Sequence, residues 1–137
     1  MKKISVLLLV IMCLFSCAEK TEAEKKAEKI AFEIETSQKY PSTFLEVEGT
    51  YRKRILHDGY EINMDIKNTS EYTDYKDIEI QVSYISKTNT TIKTELTTIY
   101  EVLKKNSTIK STIKPKFEHP DVKTLNIRAT GATPIFN

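Results

Sequence analysis

Hydrophobic and polar positions change rhythm twice along the chain. Ile4 to Phe15 is apolar, broken only by Ser5. Glu19 to Gln38, EKTEAEKKAEKIAFEIETSQ, is charged, with Ala27, Ile30, Ala31 and Ile34 at the i, i+3, i+4, i+7 spacing of one helical face and Phe32 to one side. From Thr43 onward apolar and polar residues alternate, the two-residue period of half-buried strands.

The alternating part divides at its turn residues. Leu45 and Val47 point one way and Glu46 and Glu48 the other, followed by the short run Tyr51 to Leu56. Asp58-Gly59 then marks a hairpin, because glycine accepts the positive φ of a tight turn. Tyr60, Ile62, Met64 and Ile66 form the clearest inward face. The polar connection NTSEYTDYKD leads to a second one, Ile78, Ile80, Val82 and Tyr84. After a turn at Lys87 to Asn89, Thr91 to Leu103 reads as a long strand region with Ile92, Leu96 and Tyr100 on one side. KKNS turns the chain again, Ile109 to Ile113 is a strand stopped by Pro115, and after EHPD comes Lys123 to Ala129, with Leu125 and Ile127 inward. Roughly seven short strands with no helix among them predict an all-β antiparallel sandwich. Parallel strands would need crossover helices, for which the connections leave no room.

The charged stretch is rich in strong helix formers, and Glu22 with Lys26 is an i,i+4 pair. Two readings stand: a solvated, partly helical tether of the Glu, Ala and Lys type, or a helix whose apolar stripe packs on the following domain or on a second copy. Pro41 is its first breaker, and the residue before a proline avoids the helical region, so the boundary falls near Tyr40.

The first apolar run follows the basic start Met1 to Lys3 and falls short of the roughly 20 apolar residues needed to span a bilayer. It reads as a secretory signal peptide. The chain has two cysteines, Cys13 and Cys17. Leu14, Phe15, Ser16 and Cys17 resemble the lipobox of bacterial lipoproteins. That resemblance implies cleavage between Ser16 and Cys17, a diacylglycerol on the Cys17 sulfur, and an acyl chain such as palmitate on the freed amine. Each buried CH₂ contributes about 0.8 kcal/mol, so two or three chains hold firmly where one does not. Cys13 would be discarded and Cys17 acylated, leaving the mature chain without thiol chemistry, cysteine metal sites or disulfides. Ala18 stands where an inner-membrane retention signal would place Asp, which points to the outer membrane of a Gram-negative cell. The expected organisation is 1–16 signal peptide, 17–40 lipidated N-terminus and charged helical tether, and 41–137 β-sandwich.

Within the sandwich, Ile62 to Lys114 resembles the core of bacterial and archaeal immunoglobulin-like domains of the FxLYD or late-embryogenesis-abundant-like type. Asn68 and Ser70, Tyr75 and Asp77, and Leu103 with Asn106 carry the match. It implies an immunoglobulin-like sandwich and no particular activity.

Composition narrows the function classes. Of 21 Lys and Arg, Lys2 and Lys3 belong to the signal segment, and the remaining 19 balance 19 Asp and Glu. A nucleic-acid partner would call for a basic excess, so none is expected. His57 and His119 both fall in turns, too far apart for a zinc set of three or four ligands. Asp58 is a turn residue, and Asp74 with Asp77 lacks the dense spacing and glycine of a calcium loop. No phosphate loop or Ser-His-Asp set is legible, and no cofactor or metal is expected. The sequons at Asn68, Asn89 and Asn106 follow from an Asn- and Thr-rich composition. Thr50 to Arg54 is a basic patch, either a solvated strand face or a contact with anionic headgroups or cell-wall polymer. Lys110, Ser111, Thr112 and Lys114 suit an edge strand. The sequence therefore predicts a non-enzymatic, lipid-anchored envelope module whose partners are membrane lipid and an unidentified envelope protein or polymer. The alternative is an accessory or inhibitor-like subunit that docks through a sheet edge or loops.

Overall fold

The computed structural model of the protein describes residues 20–136. The expected cleavage and acylation positions, Ser16 and Cys17, lie outside the described residues.

Helix α1, Glu22–Lys39, starts at a capping box. The Glu24 N–H donates to the Thr21 hydroxyl at 3.3 Å and the Thr21 N–H to Glu24 Oε2 at 2.8 Å, so two orphan donors of the first turn are satisfied reciprocally. Glu22 and Glu24 in the first turn and Lys39 in the last oppose the helix dipole. Glu22 pairs with Lys25 at 3.3 Å, one residue short of the expected Lys26. Tyr40 leaves the helical region, with φ −129° and ψ 64°, ahead of Pro41. A 3₁₀ turn, Pro41–Phe44, then leads into the strands. The chain divides between Phe32 and Glu33, so the last turns of α1 belong with the strands.

Six strands follow: β1 Leu45–Lys53, β2 Tyr60–Asn68, β3 Asp74–Ser86, β4 Thr91–Ile99, β5 Thr108–Ile113 and β6 Val122–Ile135. One sheet has the order β1-β2-β5 and the other β4-β3-β6, and all neighbours are antiparallel. This is the all-β sandwich predicted by the alternation. Six strands replace the roughly seven expected because the runs at Leu45 and Tyr51 are one strand crossing Gly49. A Cβ at Gly49 would lie 3.1 Å from Ile127 Cδ1 of the other sheet, so glycine lets the layers close there.

Ile62, Met64 and Ile66 of β2 face Ile78, Ile80, Val82 and Tyr84 of β3, none more than 2% exposed. Burying each aliphatic side chain contributes about 1.5–3 kcal/mol, which makes the two central strands the chief stabilising layer. Leu125 and Ile127 pack on this core from β6, as their alternation predicts. That strand runs on to Ile135, past the expected end at Ala129.

Strand β4 departs from its expected face. Leu96 is 67% and Tyr100 82% exposed, whereas Ile99 is buried. The register sets Ile78, Ile80, Val82 and Tyr84 opposite Ile99, Thr97, Glu95 and Lys93, so the inward side of β4 is mostly polar. Its charged groups, Glu95 and Lys93, have partners. The Tyr84 hydroxyl donates to Glu95 at 2.7 Å, and Lys93 Nζ lies 4.5 Å from the Phe117 ring centroid.

Candidate functional site

The last turn of α1 and one end of the sandwich share a buried polar hub. The Tyr75 hydroxyl donates to the Ser37 carbonyl at 2.8 Å, and the Ser37 and Thr73 hydroxyls are 2.5 Å apart. Ser37 Oγ also donates to the Ile34 carbonyl at 2.9 Å, which commits its proton and makes Thr73 the donor of the pair. Asn68 Nδ2 donates to the Thr73 carbonyl at 2.8 Å, Asn68 Oδ1 accepts from the Ser70 N–H at 2.9 Å, and Ser70 Oγ accepts from the N–H of Thr73 at 3.1 Å. Asp74 closes the set: its carboxylate accepts from the Lys105 N–H at 2.8 Å and from Lys104 Nζ at 3.0 Å.

Physical chemistry explains the titration of this hub. Burial pushes the Tyr75 hydroxyl up to about 12. The Lys105 N–H, and after it the Lys104 ammonium, hold the Asp74 carboxyl below its ordinary value. Among the described residues no buried side-chain nitrogen or oxygen lacks a partner. The hub therefore locks geometry and presents no unsatisfied group to a ligand.

The opposite end carries the loop between β1 and β2. Its base is clamped: the Arg54 N–H donates to the Gly59 carbonyl and the Tyr60 N–H to the Pro115 carbonyl, each at 3.0 Å, and the Gly59 N–H reaches Glu118 at 3.4 Å. Gly59 has φ +88°, the left-handed conformation expected at this hairpin. Its apex is bare, with Ile55 97% and Leu56 87% exposed. Arg52, Lys53, Arg54, Lys114 and Lys116 surround the base. Arg52 and Lys114 share Glu61, at 2.7 and 3.8 Å, and Lys53 pairs with Glu118. Arg54 and Lys116 form no ion pair within 4.0 Å among the described residues, although the Arg54 charge also helps to lower Glu61.

Both sheets have open edges. β5 is an edge strand, as its lysines suggest, and Lys110 and Lys114 guard it. β6 is the longest edge at 14 residues. Tyr75 gives both its backbone groups to Leu103, so its pairing with Pro134 is non-hydrogen-bonded and the proline nitrogen faces outward. Without an N–H, Pro134 blocks strand addition at that end of β6, and at the other end Pro120 stands two residues before Val122, whose N–H is turned to the His119 carbonyl.

The remaining sequence candidates have structural settings. His57 is exposed at the loop apex. His119 Nδ1 accepts from the Asp121 N–H at 3.2 Å, and its ring stacks on Phe117 with centroids 6.5 Å apart. The Asp58 carbonyl accepts from Arg54 at 3.4 Å. Asp77 has φ 49° where the β3–β6 register slips. Asn68 is fully buried, and Asn89 and Asn106 are positive-φ residues. Among the described residues no three His, Cys, Asp or Glu side chains gather as metal ligands, and no helix is long and apolar enough to cross a membrane.

The structure thus brings together Asn68, Ser70, Tyr75, Leu103 and Asn106, which the sequence singled out in three separate stretches; the Asn106 N–H donates to the Ser70 carbonyl at 3.2 Å. It leaves Asp77 outside that group. Sequence reasoning missed Ser37 and Thr73. The one signal for Ser37 is Pro41 four residues on, which removes the helical donor for its carbonyl. In comparisons with known proteins, no family model, no curated protein and no solved structure matches this chain.

Proposed function

We propose that this chain is a lipid-anchored module of the bacterial cell envelope, held outside the cytoplasm through acylated Cys17, with the outer membrane of a Gram-negative cell as its site. The observation that carries the reading is Leu14-Phe15-Ser16-Cys17 at the end of a short apolar run behind Met1 to Lys3. The capped helix α1 suits a spacer between anchor and sandwich. The sandwich, of immunoglobulin-like type, binds or supports an envelope protein or polymer and catalyses nothing. In support, the displaced carboxylates are each committed to structural pairs: Glu61 to Arg52, Asp74 to Lys105 and Lys104, Glu118 to Lys53 and Gly59, Glu95 to Lys93 and Tyr84.

The mass of the intact native protein tests the anchor. The expected form starts at Cys17 and carries a diacylglycerol, and Cys17→Ser moves the protein from the membrane to the soluble fraction. A native chain that begins at Met1, or whose Cys17 is bare, overturns the reading.

A second reading makes the chain an accessory or inhibitor-like subunit that docks by strand addition. The long outer edge of β6, 14 residues, favours it. A stoichiometric partner recovered with the protein from solubilised membranes supports this role, and recovery of the chain alone counts against it.

A further inference from the structure

We infer that the loop between β1 and β2 is a membrane-contact element: Ile55 and Leu56 enter the acyl layer of an anionic bilayer while Arg54 and Lys116 meet headgroup phosphates. Singly exposed aliphatic residues are ordinary on protein surfaces. Here two adjacent ones, 97% and 87% exposed, form the apex of a projecting hairpin. Nothing in the loop packs on them, although the backbone below is clamped by the Arg54–Gly59 and Tyr60–Pro115 hydrogen bonds. The loop is thus stiff at its base and apolar at its tip.

Charge decides the medium. Five cations surround the base, against Asp58, Glu61 and Glu118. Glu61 and Glu118 are paired with Arg52, Lys114 and Lys53, and with Asp58 counted the five cations and three anions leave a net charge of +2 for an external anion, with Arg54 and Lys116 the cations outside any ion pair. Both line one shallow concavity with Leu56, His57 and Asp58, two cations against one carboxylate. Apolar tip above cationic collar is the order of layers met on entering an anionic bilayer, where long basic side chains stay at headgroup level. The tip is convex and its two side chains are unconstrained by any neighbour, which suits fluid acyl chains better than a shaped protein pocket. This inference stands apart from Cys17, since it rests on none of the lipobox residues.

The chain contains no tryptophan, so Leu56→Trp places a single tryptophan, excited selectively over the tyrosines, at the apex of the full-length protein. Leu96→Trp, on the exposed side of β4, is the control, because any attachment through the N-terminal segment affects both variants alike. With vesicles of phosphatidylcholine and phosphatidylglycerol, L56W emission should move to shorter wavelength and be quenched by brominated acyl chains, while L96W stays at the aqueous position. On phosphatidylcholine alone, or at high salt, the L56W shift should shrink. Arg54→Glu with Lys116→Glu should weaken it by about thirtyfold or more in lipid concentration. Equal emission from L56W and L96W, or a shift indifferent to lipid charge, overturns the inference. So does a tip that ignores vesicles and is protected instead by an acidic protein.

Discussion

The Tyr75 hydroxyl stands in for a missing backbone donor. It donates to the Ser37 carbonyl at 2.8 Å, and the helical partner of that carbonyl would be the nitrogen of Pro41, which carries no hydrogen. A strand residue thereby completes the end of α1. The Ser37 and Thr73 hydroxyls add a second tie 2.5 Å long. The end of the helix is fixed to the sandwich by polar atoms, each of which would be costly to leave buried and unpaired.

Tyr75→Phe tests this tie. It strands the buried Ser37 carbonyl and is expected to cost about 1–3 kcal/mol in denaturant titrations. Amide exchange in the last turn of α1 should rise more than in β2. The raised Tyr75 value adds a pH signature. Its contribution is complete below the ordinary value of 10.0 and is lost as pH rises through about 12. The variant should therefore lose part of the alkaline fall in stability; burial also raises Tyr84, which keeps the rest.

Asp74 predicts the acid limb. Its depressed value means that its contribution is present above 3.8, the ordinary value, and disappears as pH falls through the lower folded one. Asp74→Ala removes the acceptor for the Lys105 N–H and should cost about 1–3 kcal/mol at neutral pH. The gap between variant and native stability should close on acidification below 3.8, measured by chemical unfolding at each pH. A gap that stays constant with pH would contradict the pairing.

Gly59→Ala should destabilise by about 1–3 kcal/mol, read as a lower melting temperature. The φ of +88° disfavours any side chain, and a Cβ would overlap the Pro115 carbonyl oxygen that closes the base of the hairpin.

The register of β4 separates the pattern read from sequence from the structure. Leu96→Ser should change stability by less than about 0.5 kcal/mol, since Leu96 faces solvent. Ile99→Ala should cost about 2–4 kcal/mol, since Ile99 lies in the core. The alternative face, with Leu96 inward, predicts the reverse order in the same melts.

The β1–β2 loop was legible in part. Asp58-Gly59 announced the hairpin, and Thr50 to Arg54 the basic patch. The bare apex was not legible, because Tyr51 to Leu56 reads as one short strand run and only the actual end of β1 at Lys53 releases Ile55 and Leu56. Nor was the hub legible as a unit. Ser37 and Thr73 lie 36 residues apart, and nothing local in either stretch names the other.

Sequence alone determined the all-β class, the inward faces of β2 and β3, the end of α1 before Pro41 and the hairpin at Gly59. In each case the cause is local: a two-residue period, pre-proline sterics, a positive φ. Tertiary structure decided the face of β4, the fusion of two short runs into β1, and the assembly of Ser37, Asn68, Thr73, Asp74 and Tyr75. Those outcomes depend on strand register and on donors meeting acceptors across the fold, and a one-residue change of register exchanges buried and exposed faces without altering the local pattern.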